Sequence, residues 1–359
     1  MNVLLLTSDA YGSNGGIGLY NRDVIEALVA MPEVEEVVVS ARGMTSTATH
    51  VPAKVRLVLE SVGGKLRFVK AALRESTLAF GLVICGHINL LPLAVLVNQS
   101  IRAPLALMVY GIDVWLPPYR FARRWLQAVD AVWSISAITM ERMNLWACLS
   151  ELKYTLLPNA IHLDRYSVAP RCLELEARYG LGGFRVIMTL ARLPDKERYK
   201  GVDEVMEILP ALMKDIPHLK YLVVGEGNDR PRLMQKVRAL GLEDHVVFTG
   251  MIPETEKADH FRLADAFVMP GRGEGFGFVF LEALACGVPV VGSLLDGSRE
   301  ALRGGDLGEL ADPADLESVR VCIHRALAQP RHVPSGLSYF AWPNFQQRLA
   351  DAVHCATNR

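Results

Sequence analysis

The chain has no cysteines in metal-like spacing, no long apolar run, no excess of either charge and no low-complexity tract. Each absence removes a class of protein. Cys85, Cys148, Cys172, Cys286, Cys322 and Cys355 are scattered without a C-x-x-C, which argues against a zinc site and for a reducing, cytoplasmic setting. The first apolar stretch, Met1–Leu6, meets Asp9 and Gly12 too soon for a signal peptide or a membrane span, and is expected as a buried strand. A net charge of −1 gives no reason to expect a nucleic-acid partner. No D-x-D pair stands at an expected strand end to hold a divalent cation, and no cofactor motif is found, so no metal or cofactor is expected. The dinucleotide fingerprint is also missing. The first glycine loop reads Gly12-Ser-Asn-Gly-Gly-Ile-Gly18, and the next apolar run, Val34–Ser40, ends without an acidic ribose reader, which disfavours a nicotinamide-dependent oxidoreductase.

What is present is rhythm. At 359 residues and 51% apolar, the chain is too long for one core and is expected to form two domains. Short apolar runs alternate with helix-length segments throughout, the pattern of parallel sheets covered by helices on both faces. A first set of strands is expected at Asn2–Thr7, Val34–Ser40, Leu82–Cys85, Leu105–Tyr110, Ala131–Ile135 and Tyr154–Leu157. A second set is expected at Arg185–Leu190, Tyr221–Val224, Val246–Thr249, Ala266–Met269 and Val288–Val291. Between them, the proline-bounded passage Pro158–Tyr166 reads as a linker. Helices are expected at Phe278–Ala285, Asp315–Ala328 and Asn344–Ala356.

Ligands of such folds bind at the carboxyl ends of strands, so the chemistry is sought in the loops that follow them. The most informative is Glu274-Gly-Phe-Gly-Phe-Val-Phe-Leu-Glu282, where glycines precede a helix and two carboxylates lie eight residues apart. Free N–H groups around Phe276, Gly277 and Phe278 form a rim suited to hydroxyls or phosphate oxygens. The loop Ala191-Arg-Leu-Pro-Asp-Lys-Glu-Arg-Tyr-Lys-Gly201 adds cations: Arg192 can fork two phosphate oxygens, and Lys200 offers a mobile point charge. Loops at Gly225–Asp229 and Gly250–Pro253 also follow strands. Taken singly, each loop is also readable as a capped helix start, a glycine turn or a solvated charge run.

In order along the chain, Gly15-Gly-Ile-Gly18, Tyr110-Gly-Ile-Asp113, Pro158-Asn159, Ala191-Arg-Leu193, Tyr199-Lys-Gly201, Gly225-Glu-Gly227 and Glu274 to Pro289 resemble the retaining GT-B glycosyltransferases of family 4. The resemblance implies an α/β fold of two Rossmann-like, doubly wound domains facing across a cleft. They would comprise an acceptor-binding domain at 1–165, a nucleotide-sugar-binding domain at 166–335, and a C-terminal helix at 336–359 packing back toward the first. It further implies that Arg192 and Lys200 bind the donor diphosphate, Glu282 the ribose hydroxyls, and Glu274 with the Phe276, Gly277 and Phe278 amides the donor sugar. Gly15 and Gly16 would close over the phosphates, and the backbone near Gly225 and Met251 would meet the base. Tyr110 stands where family members commonly carry His; with Asp113 and His87 it is a candidate contact for the donor sugar or acceptor.

The implied activity is transfer of a hexose, with retention and without metal, from GDP-mannose or a UDP-sugar to a glycan, polyprenyl-linked or small-molecule acceptor. Arg192, Lys200, Glu274 and loop N–H groups would stabilise the departing diphosphate. A sugar-nucleotide epimerase and a non-catalytic nucleotide-sugar-binding protein are the alternatives on this scaffold. Between Val51 and Glu75, Lys54, Arg56, Lys65, Arg67, Lys70 and Arg74 stand against only Glu60 and Glu75. Leu66, Phe68, Val69, Leu73, Leu78 and Phe80 interleave with them. A helix from Lys65 to Phe80 reads either as a basic amphipathic element on the anionic inner face of a membrane or as an ordinary helix on its own sheet.

Overall fold

The computed structural model describes residues 1–12, 15–44, 51–150 and 153–358. The chain divides into two units: Met1–Ala160 together with Trp342–Arg359, and Ile161–Ala341.

In the first unit the strands are β1 (Asn2–Tyr11), β2 (Glu36–Met44), β3 (Val55–Leu57), β4 (Leu82–Cys85), β5 (Leu105–Val109), β6 (Ala131–Ser134) and β7 (Tyr154–Leu156). All pair in parallel, in the order β3-β2-β1-β4-β5-β6-β7. β4, β5 and β6 are buried along their whole length because helices cover both faces, which is why they read as unbroken apolar runs. The last helix, Trp342–Thr357, belongs to this unit: Phe345 is fully buried and its ring meets Tyr20 of helix Gly16–Ala30 edge-on at 5.9 Å.

The second unit holds β8 (Arg185–Leu190), β9 (Leu219–Val224), β10 (Val246–Gly250), β11 (Ala266–Val268), β12 (Val290–Ser293) and β13 (Glu309–Ala311). These too are all parallel, in the order β10-β9-β8-β11-β12-β13. Its core joins Ile187, Tyr221 and Val268 to helices Val202–Asp215 and Leu316–Ala328. Asp315 caps the latter by accepting the Glu317 N–H.

The boundary between the two units falls between Ala160 and Ile161, within the passage expected as a linker. Leu157 to Ile161 are buried; Tyr20 donates its hydroxyl to the Leu157 carbonyl at 2.8 Å, and the Ile161 N–H reaches the Phe340 carbonyl at 2.8 Å. The helix expected over Lys65–Phe80 spans Lys65–Glu75. It stops there because the Ser76 and Thr77 hydroxyls turn back onto the carbonyls of Leu73 and Arg74, at 2.7 and 2.9 Å.

Candidate functional site

In each sheet the strand order reverses once, and at such a switch point the loops leaving the carboxyl ends of two neighbouring strands diverge and leave a crevice. In the second unit the point lies between β8 and β11, whose following loops are the two richest in candidate residues. These loops are tied together: the Arg272 N–H donates to the Tyr199 carbonyl at 2.8 Å. Lys200 closes the short turn Arg198–Lys200 and reaches across to Glu274, Nζ to Oε2 2.6 Å, with both side chains largely buried. Burial works against charge on Lys200, but the Glu274 carboxylate more than compensates and its pKa is raised.

Glu274 is aimed from behind by a residue that sequence reasoning missed. Asp296 is fully buried; its Oδ2 accepts the Glu274 N–H at 3.0 Å, while Oδ1 takes the Ser298 hydroxyl at 2.6 Å and N–H at 3.1 Å. Burial pushes its carboxyl up to about 6, against those hydrogen bonds. Gly297 next to it donates to the Glu274 carbonyl at 2.7 Å.

After this loop Gly277 takes φ +91, a left-handed geometry suited to glycine, and a Cβ there would sit 2.6 Å from the Phe280 ring. Helix Phe278–Ala285 begins directly afterwards with no side-chain cap, so its first N–H groups point out of the helix end without intrahelical partners. Phe276 is buried against Phe340, ring centroids 5.4 Å apart, and Phe278 is half-buried.

Glu282, on that helix, is buried and belongs to a different set of contacts. Its Oε1 accepts the Lys257 ammonium at 2.6 Å and the Tyr166 hydroxyl at 2.9 Å; Oε2 is buried and receives no hydrogen bond from the described residues. Burial opposes charge on Lys257, and Glu282 and Glu254 overcome it, leaving its pKa raised. Neither Lys257 nor Tyr166 was expected: Lys257 was not singled out in the sequence, and Tyr166 was read only as the end of the linker.

Arg192 stands apart from the buried pair. Its guanidinium is 73% exposed and holds Glu197 at 2.8 Å. Gly225 and Met251 come together on the β9–β10 side, where the Gly225 N–H donates to the Gly250 carbonyl at 3.0 Å and the Met251 side chain is exposed. Glycine is required at 225, since a Cβ would lie 1.9 Å from the Ala191 carbonyl oxygen.

In the first unit the reversal falls between β1 and β4. Ser13 and Asn14 of the glycine loop lie outside the described residues; Gly15 precedes helix Gly16–Ala30, and its carbonyl accepts the Leu19 N–H at 3.0 Å. A Cβ on Gly16 would meet nothing within 4 Å. The Tyr110 hydroxyl lies 2.8 Å from Asn21 Oδ1 and 3.0 Å from the Gly86 carbonyl, so its proton is engaged within the unit. Asn21 in turn donates to Thr7 Oγ1 and the Asp9 carbonyl, which makes Tyr110 a tie between the ends of β1, β4 and β5. Asp113 accepts the Tyr110 N–H at 3.1 Å, and burial pushes its carboxyl up to about 7. His87 lies with its ring 6.5 Å from that of Tyr110; Nδ1 accepts the Asn89 N–H at 3.1 Å and burial pulls its pKa down, which favours the neutral imidazole.

The family model for glycosyl transferases group 1 matches residues 184–329, the stretch that holds all the second-unit candidates. A GDP-mannose-dependent alpha-(1-6)-phosphatidylinositol monomannoside mannosyltransferase of Mycolicibacterium smegmatis is 30% identical over 98% of this chain and 96% of its own. Among solved structures, the Anabaena protein Alr3699/HepE in complex with UDP and glucose is similar with a TM-score of 0.77 at 20% identity, over 98% of both chains. Sucrose-phosphate synthase of Thermosynechococcus elongatus follows with a TM-score of 0.72 at 20% identity, over 100% of this chain and 97% of that one. The two parallel sheets are thus those of a GT-B protein, and the chain belongs to the group 1 glycosyl transferases, as a glycosyltransferase of the family 4 type.

Proposed function

We propose that this protein transfers mannose from GDP-mannose, with retention and without a metal, to a lipid-linked acceptor at an anionic membrane surface. The observation that carries the donor reading is the Lys200–Glu274 pair at 2.6 Å, set at the switch point of the second sheet beside an uncapped helix start. Breaking the anomeric C–O bond builds positive charge on the sugar and negative charge on the diphosphate. Lys200 supplies the counter-charge, the N–H groups of Phe276, Gly277 and Phe278 face the sugar, and Glu274, fixed by Asp296, orients it. Arg192 exchanges its exposed pairing with Glu197 for the diphosphate. Glu282 holds the ribose through Oε2, and the base lies near Gly225 and Met251. Gly15 and Gly16 close over the phosphates. GDP-mannose as donor is supported by the mycobacterial relative, a GDP-mannose-dependent mannosyltransferase, and by the Arg-Tyr-Lys-Gly form of the cation loop, which resembles that of family members using GDP-mannose. Tyr110 and Asp113 shape the first-unit side, with His87 as a neutral hydrogen-bonding group.

The acceptor reading draws on helix Lys65–Glu75. Phe68, Ala71, Ala72 and Glu75 face the core, and Phe80 packs there too. Lys54 is turned onto the carbonyls of Val29, Met31 and Val34, and Arg56 onto Glu75, so neither contributes to an outer basic face. The outer face keeps Leu66, 79% exposed, with Val69 and Leu73, ringed by exposed Lys65, Arg67, Lys70 and Arg74. Exposed leucines among cations suit the headgroup region of an anionic leaflet. Among the described residues no helix is long and apolar enough to cross a membrane.

The deciding experiment supplies GDP-mannose or UDP-sugars with a polyprenyl- or inositol-type lipid acceptor and follows the product's anomeric signal by NMR, with and without EDTA. The expected result is an α-linked mannoside formed equally in EDTA. A β-linked product overturns retention, strict recovery by Mg²⁺ or Mn²⁺ overturns metal independence, and an epimer pool formed without acceptor overturns transfer.

A further inference from the structure

From the contacts around Glu282 we infer that Lys257 and Tyr166 are positioning residues for the nucleotide, holding Glu282 so that only Oε2 is presented to the ribose; this rests on the donor reading above. A carboxylate offers about four lone-pair directions on two oxygens. In this chain both protein donors converge on one of them: Lys257 Nζ at 2.6 Å and Tyr166 Oη at 2.9 Å meet at Oε1. Oε2 is buried with no protein partner among the described residues, on a side chain only 6% exposed. A buried acceptor left without a donor is costly, so this orientation is maintained against its own penalty.

The two donors do different work. Lys257 is itself only 10% exposed and comes from helix Lys257–Leu263, which precedes β11, so packing fixes its ammonium against Oε1. Its second partner, Glu254 Oε1 at 3.3 Å, is more exposed and anchors the ammonium from the outside. Tyr166 adds direction. With its hydroxyl and the ammonium on one oxygen, the carboxylate cannot turn over without giving up two hydrogen bonds. The group presented is therefore an acceptor oxygen with no donor of its own, which suits ligand hydroxyls. A ribose offers two adjacent hydroxyls in that position.

The test measures Kd for whichever of GDP and UDP gives the larger thermal stabilisation, and for its 2′,3′-dideoxy form, in the wild type and in Glu282→Ala, Lys257→Gln, Lys257→Arg and Tyr166→Phe. The wild type is expected to prefer the ribonucleotide by about tenfold or more. Glu282→Ala is expected to abolish the preference, Lys257→Gln and Tyr166→Phe to reduce it severalfold with binding of the dideoxy form unchanged, and Lys257→Arg to restore much of it. A general weakening of the fold would lower affinity for both ligands alike. Tyr166→Phe leaves the ion pair in place, so the question is answered even if Lys257→Gln fails to fold. No ribose preference in the wild type, or its persistence in Glu282→Ala, overturns the donor reading of Glu282 and this inference with it. Preference lost in Glu282→Ala but kept in both Lys257→Gln and Tyr166→Phe overturns this inference alone.

Discussion

Arg192 and Glu282 illustrate how exposure separates two roles within one proposed site. Arg192 is a solvated guanidinium that must leave Glu197 to meet a diphosphate, so its benefit is largest when charge has grown on the leaving group. Arg192→Ala is therefore expected to lower kcat by about 10- to 100-fold with little change in donor KM, whereas Glu282→Ala raises KM with kcat nearly kept. Steady-state kinetics with varied donor separate the two, and wild-type values in both folded variants would remove them from the site. Asp296 carries a different prediction. Its folded pKa, about 6, lies above the ordinary 3.8, so the stability it confers is complete below about pH 4 and is lost as pH rises through 6. The destabilisation caused by Asp296→Asn should accordingly be greatest near pH 4 and shrink by on the order of 3 kcal/mol by pH 7. Urea melts across that range check it; a cost that grows with pH would mean the carboxylate is held ionised. Lys200 and Glu274 were legible in the sequence because each stands beside a glycine in a loop after a strand. Asp296, Lys257 and Tyr166 were not, since a lone acid, a helix lysine and a linker tyrosine take their meaning only from burial against Glu274 or Glu282.

At the scale of elements, what could be read depended on how completely a segment is buried. Leu82–Cys85 and Arg185–Leu190 have the bounds expected of them, because a strand inside a parallel sheet covered on both faces needs apolar residues on both sides, and Val186–Met188 and Leu82–Cys85 supply them. β3 and β13 were not read as strands: each is a three-residue edge strand, mostly half-buried, whose sequence shows no run. Helix Lys65–Glu75 was read with the right character but five residues too long, since its end is set by two hydroxyls returning to carbonyls and not by a change of hydrophobicity. The shortened helix makes the membrane prediction sharper. Lys65, Arg67 and Lys70 lie on its exposed surface, away from the buried Phe68, Ala71 and Ala72, so their reversal to Glu should leave the core intact. The triple variant is expected to lose co-sedimentation with anionic liposomes while hydrolysing soluble donor at the wild-type rate. Binding by the wild type should also weaken with salt. Sedimentation unchanged in the triple variant would sink the membrane role of this helix.

At the scale of the whole molecule, the chain leaves its first unit at Ala160 and returns to it at Trp342, so that unit is completed only by the last helix. The return is secured by packing. Phe345 is fully buried, edge-on to Tyr20 at 5.9 Å and stacked with Trp342 at 5.7 Å, and Leu349, Ala352 and Val353 continue the buried face. Removing a buried phenylalanine ring costs about 3–5 kcal/mol, through lost transfer energy and the cavity left behind. Phe345→Ala should therefore loosen the first unit, and the second unit, with its own core around Ile187, Tyr221 and Val268, should not follow. Hydrogen exchange reports this segment by segment. Exchange is expected to quicken in Gly16–Ala30 and Trp342–Thr357, while the amides of β8, β9 and β11 keep their protection. Adding the preferred nucleoside diphosphate at 100 times its wild-type dissociation constant should still stabilise the second unit of the variant, by at most about 2.7 kcal/mol, because the residues assigned to the base, the ribose and the sugar-facing loop, with Arg192 and Lys200, lie between Ile161 and Ala341 and only Gly15 and Gly16 lie outside that range. Complete loss of nucleotide protection in Phe345→Ala, with the second unit's amides otherwise unchanged, would show that the phosphate contact assigned to Gly15 and Gly16 dominates nucleotide binding, and would make these two the residues to substitute next.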